Sequence, residues 1–132
     1  MKVRKGELLP DQKQMKPNSK WINDWHTGIE SARETAISAG ILQYFMDFWD
    51  QMKLEEKSKT TKRRYYSSLH ALGGYLVEKA TSDDDDLEDT VDELLSKYIE
   101  SEGGPFIYYN DESWQDEVDM VCRKIYKYMK TR

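Results

Sequence analysis

The sequence predicts an all-α fold: a compact bundle of four main helices, preceded by a short N-terminal helix and an arm. Three observations predict it. Apolar residues recur with a period near 3.6 in four long segments. Helix breakers separate these segments, most plainly in "TSDDDD" and "SEGGPFIYYND". No stretch alternates apolar and polar residues over a useful length, and "FIYY" alone reads as extended. A chain of 132 residues is one ordinary domain. Nine tyrosines and four tryptophans give it the large apolar groups that disordered chains lack.

Residues 1–18 read as a flexible basic arm, because Pro10 and Pro17 break any helix there. Residues 19–132 form a single helical domain. Ser19 or Asn18 caps a short helix with Trp21, Trp25 and Ile29 on one face. The two tryptophans either cover one end of the core or meet a second chain. A long helix follows over 30–53, with Ile37, Ile41, Leu42, Phe45, Phe48, Trp49 and Met52 in one wide stripe.

The next helix begins at Ser58 or Thr60. Tyr65, Leu69, Leu72 and Leu76 share its apolar face, while Thr60, Arg63, Ser67, His70 and Gly74 lie opposite. Gly73 and Gly74 each cost about 1 kcal/mol relative to Ala inside a helix. The expected compensation is close packing against another backbone, near Gly40. Asp83–Asp86 then suit the N-terminus of a helix over 87–100, where exposed N–H groups favour carboxylates. That helix buries Leu87, Val91, Leu94, Leu95, Tyr98 and Ile99. The last helix starts at Asp111 or Ser113 and buries Val118, Val121, Cys122, Ile125 and Met129. Arg123, Lys124, Lys127 and Lys130 line its back.

Several chemistries lack their residues. The single cysteine, Cys122, forms no intrachain disulfide, and its apolar neighbours make it a small core residue. With two histidines and that one cysteine, no common zinc site is expected. The four aspartates lack the spacing of a calcium loop, and neither glycine pair has a phosphate-loop Lys–Ser/Thr. No enzyme activity, cofactor or small-molecule substrate is expected. No apolar run suits a signal peptide or a membrane span, so a cytoplasmic protein is expected.

Charge is unevenly spread. Residues 83–119 hold fifteen Asp and Glu against one Lys, a balance of −14. The remaining residues hold nineteen Lys and Arg against ten Asp and Glu, a balance of +9. A polyanion would have to meet the basic part with the acidic part turned away.

The order of elements from about Ile41 resembles the core-binding domain of tyrosine recombinases, the SAM-like N-terminal module of phage integrases. The likeness rests on "YFMDFWDQMK" and on a "K-T-x-x-x-Y" helix start at Lys59, Thr60 or Thr61, and Tyr65 or Tyr66. It continues through the acidic "DLEDTVDELLSKYI" and the closing "DEVDMVCRKIYKYMK". The resemblance implies a four-helix bundle that clamps one side of DNA. Lys59, Thr60, Lys62, Arg63 and Arg64 are then the phosphate contacts. That family carries a catalytic domain after this module, and the sequence reaches Arg132 without one. Strand cleavage is therefore not expected.

Two readings stay open. One is a small DNA-binding accessory protein linked to mobile DNA. It uses the +4 balance over residues 53–64, base-edge contacts from Arg63, Ser67 and His70, and the cations Arg123, Lys124, Lys127 and Lys130. The other is a protein-interaction module or homodimer, anchored by Trp21, Trp25, Tyr108, Tyr109 and Trp114.

Overall fold

The wide stripe on the second predicted helix does what its breadth requires and sits at the centre of the molecule. In the computed structural model, which describes residues 15–131, Ile41, Phe45, Phe48 and Trp49 are all buried. Five helices are described: α1 (Lys20–Asp24), α2 (Ser31–Gln51), α3 (Lys59–Ser82), α4 (Val91–Tyr98) and α5 (Glu112–Thr131). A 3₁₀ turn at Leu54–Glu56 joins α2 to α3, and Lys53, at φ 54°, turns the chain into it. No strand occurs among the described residues. The all-α bundle is thus the fold of this chain. Most of the expected basic arm, residues 1–14, lies outside the described residues. No described helix is long and apolar enough to cross a membrane.

Helix α3 is the hub, in contact with α2, α4 and α5. Its apolar face reads as expected: Tyr65, Leu69, Leu72 and Leu76 are buried. Ser58 caps it, its hydroxyl accepting the Thr61 N–H at 3.2 Å. Val118, Val121, Cys122 and Ile125 of α5 join the same core. Burial pushes the Cys122 thiol up to about 12, aided by the nearby Asp119 charge, so it stays a protonated core residue at neutral pH.

Three expectations need correction. The first concerns α1, which ends at Asp24, so Ile29 does not continue its face and is 61% exposed. The chain leaves α1 because Glu34, buried in the first turn of α2, collects the backbone there. Its carboxylate accepts from the Thr27 N–H, the Thr27 hydroxyl (2.6 Å) and the Gly28 N–H (2.9 Å).

The second correction concerns Gly73 and Gly74. They lie against an indole, not beside Gly40. A Cβ on Gly73 would sit 2.7 Å from Trp25 Cε2, and one on Gly74 would sit 3.3 Å from Trp25 Cδ1. Gly40 instead faces α4, where a Cβ would sit 2.6 Å from Val91 Cγ2.

The third concerns the aspartates, which do not begin α4. Thr90 does, in a capping box with Glu93. Residues 83–90 form a turn after α3, and Leu87 is exposed in it. Asp86 is fully buried, where it accepts from Tyr98 Oη and pairs with Lys97. Lys97 also meets Asp89 at 2.6 Å. From α2, Arg33 donates to the carbonyls of Ala80 (2.7 Å), Asp86 (2.9 Å) and Asp89 (2.9 Å).

These buried carboxylates make stability acid-sensitive. Burial alone would raise the pKa of Glu34 and Asp86. The hydrogen bonds from Thr27 and Gly28 to Glu34, and from Lys97 and Tyr98 to Asp86, outweigh it and hold both below their ordinary values of 4.5 and 3.8. The unfolded chain therefore binds these protons more tightly. Their contribution is complete above pH ~4.5 and is lost as pH falls through the lower folded values. Urea midpoints should be level between pH 7 and 5 and drop below ~4.5. The drop should be shallower in Glu34→Gln. An equal drop in that variant would remove Glu34 from the account.

Candidate nucleic-acid interface

The site begins with a difference between cations that are engaged and cations that are not. Arg33 is spent on three carbonyls, Lys79 on Asp83 (3.6 Å), and Lys97 on Asp86 and Asp89. Arg123 donates to the Glu102 carbonyl at 3.2 Å, and Lys130 lies 5.0 Å from the Tyr126 ring centre. By contrast, the side chains of Lys53, Lys57, Lys59, Lys62 and Arg63 have no hydrogen-bond, ion-pair or ring partner among the described residues. Lys59, Lys62 and Arg63 lie on the first turns of α3, and Lys53 and Lys57 flank the 3₁₀ turn that leads into it.

Helix geometry fixes the surroundings of this cluster. At a rise of 1.5 Å per residue, the 24 residues of α3 separate its start from the acidic turn after Ser82 by about 36 Å. That is several screening lengths at physiological salt, where one length is ~8 Å. The aspartate turn therefore does not cancel the field at Lys59 and Arg63. The Ser58 hydroxyl serves the Thr61 N–H, and Thr60 stays exposed beside the cations. Cations at a helix start oppose the partial positive charge of the free N–H groups, so their gathering there does nothing for the helix.

The other expected contacts divide. Arg64 faces an acid, with its Nε 3.4 Å from Glu117 on α5, so it is partly neutralised. Ser67 is half-buried. His70 is bound into the seam with α1. Its Nε2 lies 3.0 Å from Asp24, its ring edges against Trp21, and its carbonyl accepts the Trp25 indole N–H at 2.9 Å. It is not a free base-edge reader in this arrangement.

On α5, Lys124 and Lys127 follow Glu112, Asp116, Glu117 and Asp119 along the helix. Acid in the first half and base in the second match the helix dipole. That placement gives the α5 cations a sufficient local reason. It also puts Glu117 beside Arg64, at the edge of the basic turn.

The aromatic candidates also separate. Trp21 and Trp25 are 2% and 3% exposed, so they are core and not surface anchors. Tyr108 is half-buried against Trp114, with ring centres 5.8 Å apart. Tyr109 is exposed. Lys53 and Lys57 were not singled out from the sequence, although both lie inside the positive 53–64 stretch that signalled the site. Phe106 was missed outright, because a lone aromatic in a connection carries no periodic signal.

Among the described residues no group of three or more His, Cys, Asp or Glu is arranged to hold a metal ion. Comparison with protein-family models, with curated proteins and with solved structures returned no match.

Proposed function

We propose that this protein is a non-catalytic helical module that binds the phosphate backbone of double-stranded DNA through the junction of the 3₁₀ turn and α3. One observation carries the reading. The unpartnered cations Lys53, Lys57, Lys59, Lys62 and Arg63 gather at one end of a helix whose other end leads into the acidic turn. Lys and Arg contacts to phosphate give affinity through counterion release and need no base readout. The resemblance to the integrase core-binding module points to the same helix start.

The test is a fluorescence-anisotropy titration of a 20-base-pair duplex across a salt series. Three to five phosphate contacts give a slope of log K against log salt of about −3 to −5. Lys62→Ala/Arg63→Ala should fold normally, since neither side chain enters the core. It should weaken binding and flatten the slope by about 1–2. Absence of binding by the wild type at low salt sinks the proposal and leaves protein partners as the module's ligands. An unchanged slope in the double variant moves any DNA contact elsewhere.

A further inference from the structure

A second surface stands apart from the basic turn. The connection between α4 and α5 is clamped by one buried side chain. Gln115 Oε1 accepts the N–H groups of Ile107 and Tyr108, both at 2.9 Å, and its Nε2 donates to the Pro105 carbonyl at 2.9 Å. Asp119 adds a bond from the Gly104 N–H at 3.1 Å. A connection held this firmly has little conformational freedom to lose on binding. It nevertheless carries Phe106 and Tyr109 outward, 57% and 73% exposed, with ring centres 4.8 Å apart. They stack on each other's edges instead of closing onto the core.

Beside them runs a groove of about 520 Å³ between this connection and α3. Gly74 leaves its floor open above the Trp25 ring, and Tyr75 and Ile107 add apolar wall. Its charges are Asp24, Glu78, Lys79 and His70. Lys79 is held by Asp83 and lies 5.5 Å from the Tyr75 ring centre, and His70 is held by Asp24. The Glu78 carboxylate has no ion-pair partner among the described residues. With Asp83 behind Lys79, the groove has a net negative field and an aromatic lip.

We infer that this groove binds a basic segment of a partner protein, an Arg or Lys beside an apolar residue. The cation lies against the Phe106 and Tyr109 faces and reaches Glu78, while the apolar neighbour fills the floor over Gly74. A guanidinium or ammonium on an aromatic face, with a carboxylate in reach, has both attractions at once. Rigid aromatic pairs are also the anchors that concentrate binding energy at interfaces. This surface is independent of the phosphate-binding reading, because it uses none of the cations at the start of α3.

The test uses a random twelve-residue peptide library displayed on phage and selected on the wild-type protein. Enriched peptides should carry Arg or Lys next to an apolar residue. Their binding should fall at least tenfold on Phe106→Ala/Tyr109→Ala, whose exposed side chains leave the fold intact by circular dichroism. Glu78→Lys should abolish the preference for cations. The DNA titration should not change in either variant. No enrichment over a blank surface, or enrichment of peptides without cations, overturns the inference. So does binding that ignores both variants. Sedimentation that shows a dimer dissolved by Phe106→Ala/Tyr109→Ala would give the groove to a second copy and overturn it equally.

Discussion

Gly73→Ala is expected to destabilise the protein by ~2–3 kcal/mol, even though Ala is the better helix former by about 1 kcal/mol. The added Cβ would lie 2.7 Å from Trp25 Cε2 and 2.5 Å from Cη2. The indole resists displacement. It is buried, it packs on Trp21 at 5.6 Å between ring centres, and its N–H is tied to the His70 carbonyl. Either α1 lifts away from α3 or the core spreads, and both lose buried apolar area. For a chain of this size the fall in Tm should be on the order of 10 °C. Gly74→Ala is the internal control. Its Cβ would meet Trp25 Cδ1 at 3.3 Å and Nε1 at 3.7 Å, so a small shift suffices and the propensity gain brings the change near zero. Thermal unfolding of the pair decides the matter. Equal effects at both positions would show that the glycines serve backbone freedom and not the indole. Trp25→Phe should restore part of the loss in the Gly73→Ala background.

Asp86→Ala should cost a similar amount, ~2–3 kcal/mol, by leaving Tyr98 Oη without its acceptor and Lys97 with only Asp89 of its two acidic partners. The figure stays below that for a wholly buried ion pair because Lys97 keeps access to water. The damage should be local first. The Arg33 bonds to the Asp86 and Asp89 carbonyls depend on the turn keeping its shape. Amide exchange should quicken over residues 83–90 before it quickens in α2 or α5. A variant that loses less than about 0.5 kcal/mol would make Asp86 one more surface carboxylate. Asp84→Ala and Asp85→Ala, at exposed positions of the same run, should be close to neutral.

The contrast within that run shows what a linear reading recovers. Period-3.6 stripes report which face of a helix is buried, so Phe45, Leu72 and Val121 are legible as core from the sequence. They do not report what the face meets. The glycine pair signals a close approach, but the backbone expected near Gly40 is not what meets it: the neighbour is the Trp25 indole, some fifty residues earlier. The four aspartates read as one solvated block, whereas Lys97 and Tyr98 draw in Asp86 alone. The Thr90–Glu93 capping box is present in the sequence, but four carboxylates four to seven residues before Thr90 offer a competing start. At the basic turn the charge density was legible. The neutralisation of Arg64 by Glu117 was not, because it depends on how α5 crosses α3. The groove beside Phe106 was invisible, since Gln115 builds it from bonds to a connection that has no pattern.

The docking of Trp25 onto α3 has a consequence for how the chain comes off the ribosome. A five-residue helix cannot hold itself together, because nucleation outweighs the few bonds it gains. Helix α1 therefore has no structure to adopt until the glycine floor and the His70 carbonyl exist, 45 residues later. At ordinary translation speeds that is roughly 2–9 s in which two tryptophans stay bare. The first of the described helices is thus among the last to form.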